Sequence, residues 1–150
     1  MRCGSGLKIL KKEDNINCII IAGMGGMLML DILQNGCIDD VTQLVLQPQK
    51  DIPEVRRYIH FAGYKIENET MIIEDEKYYN IISAVKGTET YTDTEYELGK
   101  ILIENRDQTL RIWLKTEIDR IEALLGVMNG EKLDAAQKKL NLYKEVFVCL

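Results

Sequence analysis

The chain is short of the residues on which much catalytic machinery is built. It has one histidine, His60, with no cysteine or serine beside it in a recognisable motif. A nucleophile–histidine hydrolase therefore has little support. Cys3, Cys18, Cys37 and Cys149 form no CxxC pair and cluster with no histidine, so no zinc site is expected. Four reduced thiols in a cytoplasmic protein are the expectation instead. No apolar run approaches the ~18 residues of a membrane span. The opening MRCGSGLKILKK lacks the apolar stretch and small-residue cleavage site of a signal peptide. A basic excess is missing too. The net charge of −5 and pI near 5.0 argue against a strongly basic nucleic-acid binder, while leaving room for a local basic face.

What is present reads as α/β grammar. Residues 17–22, NCIIIA, form a short, β-branched apolar run, the pattern of a strand buried on both faces in a parallel sheet. Gly23, Met24, Gly25 and Gly26 follow at once and lead into MLMLDILQN, a short apolar helix closed by Asn35-Gly36. A second apolar run at 43–47 stops at Pro48. Residues 52–62 then read as a helix, with Pro53 in its first turn and Gly63 behind it. Strand-like runs at about 64–74 and 77–86, joined by a polar turn, predict an antiparallel hairpin. Thr92 or Asp93 can cap the helix that follows.

Two longer helices close the chain. Leu110, Leu114, Ile118, Ile121, Leu125 and Met128 recur at spacings of three and four, as do Leu133, Ala136, Leu140, Tyr143 and Phe147. Each helix thus carries one apolar stripe, and Asn129-Gly130 permits a tight reversal between them. The expected fold is α/β: residues 1–90 as part of a Rossmann-like sheet (two parallel strands plus an antiparallel hairpin), and 91–150 as a coiled-coil helical hairpin. A strand as apolar as 18–22 is rarely a sheet edge. Its one obvious partner is the run at 43–47. The other flank of 17–22 is therefore expected to be covered by another chain, or by residues upstream of Met1.

The Gly-rich turn is the strongest single motif. It follows a parallel strand, where open α/β sheets bind ligands. Glycines admit close backbone approach, and the next helix presents free N–H groups. A dinucleotide fingerprint fails because Leu28 stands where the third small residue belongs, and the next strand ends at Gln47 rather than an acid. A P-loop fails because Gly-Met-Leu replaces Gly-Lys-Ser/Thr. A tight turn without a ligand stays open.

Several ordered blocks narrow the choice. IIIAGMGGMLMLDIL, LVLQPQKDIPEVRRYI, GYKIENETMIIEDEKYYNII, the opening RCGSGL and the segment YTDTEYELGKIL together resemble the bacterial tRNA adenine-N1 methyltransferases that modify position 22. The resemblance runs along nearly the whole chain. It implies a class I methyltransferase that uses S-adenosylmethionine (S-adenosyl-L-methionine), with a Rossmann-like domain and a carboxyl-terminal coiled coil that helps grip tRNA. By that resemblance Gly4, Ser5, Gly6 and Leu7 lie near the cofactor's adenine, with Ser5 where the family usually has Asp. Ala22 adjoins the cofactor, and Gly23, Met24, Gly25 and Gly26 line the pocket for methyl donor and target base. Gln47 and Pro48 match a Leu-Gln-Pro block, with Gln49 where the family usually has Asn. The family's Asp-Ile-Gly-Ser-Asp-His block has no counterpart here, so the isolated chain is expected to lack independent catalysis.

Residues 107–150 carry seven basic and seven acidic side chains, so the net negative charge lies in residues 1–106. The hairpin is thus the less repulsive surface for phosphate. Arg111, Lys115, Lys138 and Lys139 are the candidate RNA contacts, against a solvated face of ion pairs. His60 is expected at the surface or a helix end, Trp113 in packing beside its stripe, and Tyr78 and Tyr79 on opposite faces of a strand. The rival function is a non-catalytic RNA-binding or assembly module built on the helical hairpin.

Overall fold

β1 (Cys18–Met24) and β2 (Gln43–Pro48) pair in parallel, with Ile20 opposite Val45, and α1 (Gly26–Gln34) crosses between them. These features come from a computed structural model, which describes residue 4 and residues 6–150. α2 (Ile52–Phe61) leads into β3 (Tyr64–Glu74) and β4 (Lys77–Lys86), the expected hairpin. Its turn residues Asp75 and Glu76 both take positive φ, 47° and 61°. That left-handed pair lets a two-residue turn follow the right-handed twist of its strands, although neither residue is glycine. β4 then pairs antiparallel with β2, so the sheet order is β1-β2-β4-β3.

One face of this sheet is dry. Ile19 and Ile21 of β1, Leu44 and Leu46 of β2, and Ile82 of β4 pack against Met29, Leu33, Val55 and Ile59 of α1 and α2. Each such side chain contributes about 1.5–3 kcal/mol on burial. Of the two faces of β1 expected to be buried, the described residues cover one. Ile20, between two residues at 5% and 7% exposure, is itself 72% exposed. The period-two geometry of a strand sends Ile20 to the opposite face, and among the described residues no element covers it. Among the described residues β1 lies at the margin of the sheet, paired with β2 alone.

The second core is helical. α3 (Asp93–Leu98), α4 (Lys100–Glu104), α5 (Gln108–Leu125) and α6 (Glu131–Cys149) complete the order. Thr92 caps α3: its hydroxyl accepts from the Glu95 N–H, and the Glu95 carboxylate accepts from the Thr92 N–H. Asp107 caps α5 by accepting from the Leu110 N–H at 2.8 Å. The expected stripes meet, with Leu110, Leu114, Ile118 and Ile121 of α5 buried alongside Leu140 and Tyr143 of α6. Met71 and Tyr78 of the β-hairpin join this cluster, while Tyr91 and Tyr96 belong to the first. The two cores therefore interlock across residue 90.

A buried ion pair fastens them. Arg56 of α2 and Glu69 of β3 are 1% and 3% exposed, and Arg56 Nη2 stands 2.6 Å from Glu69 Oε1. The other guanidinium nitrogens are also satisfied: Nε donates to Glu69, and Nη1 donates to the Tyr96 and Glu97 carbonyls that end α3. Asn80 of β4 donates to the same carboxylate. Gly99, at φ 91°, passes so close that a Cβ there would stand 2.6 Å from Glu69 Oε2.

Candidate active site

At the carboxyl end of the parallel pair, the loops after β1 and β2 are bonded into one unit. The Gly23 N–H donates to Gln47 Oε1 at 2.9 Å, and the Gln49 N–H donates to the Met24 carbonyl at 2.9 Å. The Gly26 N–H donates to the Lys50 carbonyl at 3.0 Å, and the Met27 N–H reaches the Asp51 carboxylate at 3.4 Å. The expectation that α1 begins with free N–H groups is thus corrected at its first two residues. The following loop folds back and uses them.

Each glycine has its own reason. Gly23 takes φ 77°, which side-chain-bearing residues rarely adopt, and open space surrounds the place where its Cβ would stand. At Gly26 a Cβ would lie 2.6 Å from the Lys50 carbonyl oxygen, so close packing of the two loops demands glycine. At Gly25 a Cβ would meet only the flexible Lys50 side chain, at 2.9 Å. Ala22 and Gly23 are exposed, leaving backbone edges within reach of a ligand.

The segment expected beside the cofactor's adenine packs along α1. Ser5 and Cys3 are outside the described residues. Gly6 opens a 3-10 turn against Ile32, and Leu7 packs over Gly36. Ile32 is six residues along α1 from Gly26, or roughly 9 Å at the helical rise. Gly6 and Leu7 therefore sit at the far end of α1 from the glycine loop, and exposed Gly4 lies beside them, near Ile9. Leu7 is apolar and finds its burial on the core side of α1. For S-adenosylmethionine, the Ala22–Gly26 loop offers an open backbone edge, while Gly6 and Leu7 are engaged with the second half of α1.

Next to the glycine loop runs a groove that sequence patterning missed. A cavity of about 530 Å³ lies between the loop after β2 and α5, and a second of about 480 Å³ adjoins it. Gln49, Tyr78 and Trp113 line both. Trp113 is half-buried against Tyr143, with ring centroids 5.4 Å apart, and its indole edges the groove as well. Tyr78 packs against the second core and lines both cavities, whereas Tyr79 lines only the smaller. The available signal was Trp113's place on the shoulder of its stripe, next to Leu114.

The four basic candidates do not share a surface. Lys139 lines the larger cavity and pairs with Glu97 at 2.9 Å. Burial alone would raise the Glu97 carboxyl, but hydrogen bonds from Lys139 and Tyr143 and the charges of Lys139 and Arg56 hold it below the usual carboxylate range. Arg111 and Lys115 each stand two residues from Trp113, about 200° round the helix, and so face away from the groove. Arg111 lies over the Phe147 ring, and Lys115 pairs with Asp119 at 2.8 Å. Lys138 is exposed on α6.

His60 is at a helix end, as expected, but it is not on the surface. Its side chain is 6% exposed. Nδ1 lies 2.9 Å from the Tyr96 hydroxyl, and the ring meets Tyr91 edge-on at 4.5 Å. Desolvation lowers its pKa, against the opposing pull of Glu89, and Lys100 lowers it further.

The sequence profile of the tRNA (adenine(22)-N(1))-methyltransferase family matches residues 1–147. A curated tRNA (adenine(22)-N(1))-methyltransferase from Bacillus subtilis (strain 168) is 36% identical, over 97% of this chain and 68% of that protein. The chain belongs to the tRNA (adenine(22)-N(1))-methyltransferase family. The enzymes of this family are S-adenosylmethionine-dependent tRNA methyltransferases. The fold agrees. A Streptococcus agalactiae protein of the NADB-Rossmann superfamily superposes with a TM-score of 0.91 at 28% identity, over 97% of this chain and 66% of that one. A Streptococcus pneumoniae protein solved in complex with S-adenosyl-L-methionine superposes with a TM-score of 0.89 at 26% identity, over 97% of this chain and 67% of that one. The chain thus spans about two thirds of the length of these relatives. No helix among the described residues is long and apolar enough to cross a membrane.

Proposed function

We propose that this chain carries the base-positioning loop and the tRNA-gripping helices of an enzyme that methylates N1 of adenine 22 in tRNA. The observation that carries this reading is the bonded unit of residues 23–26 and 47–51 at the carboxyl end of two parallel strands, opening beside a groove toward the helical hairpin. S-adenosylmethionine, when bound, supplies an electrophilic methyl group. Adenine N1 has an available lone pair, so the protein's task is alignment and exclusion of water rather than proton removal. No general base is assigned.

The residues suit that task. The bond from Gly23 to Gln47 and the bond from Gln49 to Met24 hold the two loop edges at a fixed separation. Exposed Ala22 and Gly23 leave space where a side chain would block a planar base. The base must leave its stack in the folded tRNA to arrive there. Residues 1–90 supply this positioning frame, and residues 91–150 supply the wall facing it.

A tRNA transcript carrying 8-azidoadenosine at position 22 tests the reading directly. Crosslinks to peptides spanning 22–26 or 47–51 are expected. A transcript that binds but crosslinks only elsewhere overturns the assignment of the loop, and failure to bind tRNA overturns the tRNA reading altogether. In calorimetry, micromolar binding of S-adenosylmethionine by this chain would show a retained cofactor pocket and rule out a purely non-catalytic RNA-binding or assembly module.

A further inference from the structure

We propose that the groove between Gln49–Lys50 and Trp113 is a stacking subsite for a second unpaired nucleotide of the RNA, adjacent to the base held by the glycine loop. The inference rests on the tRNA reading above and adds to it a specific contact and its residues. Four observations carry it.

The first is continuity. Gln49 is bonded to Met24 through its N–H, and the Lys50 side chain covers the place where a Gly25 Cβ would stand. The wall of the groove is thus the outer wall of the loop. The second is size. A cavity of about 530 Å³ with a neighbour of about 480 Å³ falls within the ~300–1,000 Å³ common for ligand sites.

The third is charge. The acids of the groove are already neutralised: Glu97 by Lys139, and Glu117 by Arg120 at 2.6 Å. The buried Arg56 is matched by Glu69. Lys50 and Lys77 are exposed, and among the described residues neither has a carboxylate within ion-pair distance. The groove therefore presents two uncommitted cations to a phosphate. The fourth is chemistry. Trp113 and Tyr78 offer aromatic rings, and Gln49 offers an amide with both a donor and an acceptor for a base edge. Aromatic rings beside uncommitted cations are the combination that binds unpaired nucleotides.

The chain provides its own reporter, because Trp113 is its only tryptophan. A tRNA transcript is titrated into the protein, with Trp113 emission and gel retardation followed in parallel. Quenching with the same midpoint as the retardation is expected. Trp113→Leu, which keeps apolar volume but loses the ring face, should weaken binding roughly tenfold, as loss of one base stack does. Trp113→Phe should recover most of that loss, and thermal melts of both variants exclude a folding defect. Retardation with unchanged emission, and with equal affinity in Trp113→Leu, overturns the subsite while leaving the tRNA reading standing. Absence of retardation for the wild-type chain removes both.

Discussion

The first core is one face of a sheet, and the second is a pair of helical stripes closing on each other. In the first, the side chains are buried and the backbone is left to act: the exposed groups at the candidate site are Ala22, Gly23 and the edges of two bonded loops. In the second, the backbone is consumed by helix, and side chains such as Trp113 and Lys139 do the facing. A parallel strand ending in glycine presents peptide groups at a fixed position, whereas a helix can present only what projects from it. The groove lies where the two kinds of surface meet. The buried ion pair Arg56–Glu69 holds them in register.

The largest effect should come from breaking that clamp. Arg56→Ala leaves Glu69 buried without its partner, which typically costs about 3–5 kcal/mol. Chemical denaturation is expected to show that loss. A change below about 1 kcal/mol would mean that the two cores are held together by apolar contacts alone. Gly26→Ala comes next. Its methyl would press on the Lys50 carbonyl, and overpacking of this kind costs about 1–3 kcal/mol. The loss should be accompanied by weaker crosslinking from tRNA position 22, whereas Gly25→Val, which meets only a flexible lysine, should keep the melting temperature and lose the crosslink.

Acid should distinguish the cores by pH window. Desolvation holds the His60 pKa in the folded protein below the ordinary 6.5. Its contribution to stability is complete above pH 6.5 and is lost as the pH falls toward the folded value, since the unfolded chain binds the proton first. Glu97 titrates lower. With its folded pKa below the ordinary 4.5, its contribution is present above pH 4.5 and is lost as the pH falls through the folded value. Melting curves should therefore show a loss below pH 6.5 that His60→Gln removes, and a second loss below pH 4.5 that Glu97→Gln removes. The smallest effect is assigned to Lys115→Ala, whose pair with Asp119 is exposed on the side of α5 away from the groove. Neither melting temperature nor tRNA retardation should move, whereas Lys139→Ala should weaken retardation.

Much of this was legible in the residues. The strands at 43–47, 64–74 and 77–86, the helix closing before Gly63, the Thr92 cap and both apolar stripes follow from periodicity and punctuation, because each depends on neighbours close in sequence. Patterning is silent where a long-range partner decides. NCIIIA looks the same whether one face or two are covered, and only the sheet shows Ile20 in the open. RCGSGL was placed beside the cofactor by resemblance, and nothing in its local pattern foretells that Gly6 and Leu7 contact the second half of α1. The charge count treated Arg111, Lys115, Lys138 and Lys139 as one group, although helical phase sets Arg111 and Lys115 away from the groove that Lys139 lines.

The amino-acid order by itself determined the elements, the glycine turn at 23–26 and the family, since local backbone preference and ordered blocks need no third dimension. Tertiary structure alone decided that Gly26 is glycine for the sake of Lys50, that Arg56 finds Glu69, and that Gln49, Tyr78 and Trp113 share a cavity. Those contacts join residues thirteen to more than sixty positions apart, and no periodicity encodes which distant side chains will meet once the chain has collapsed.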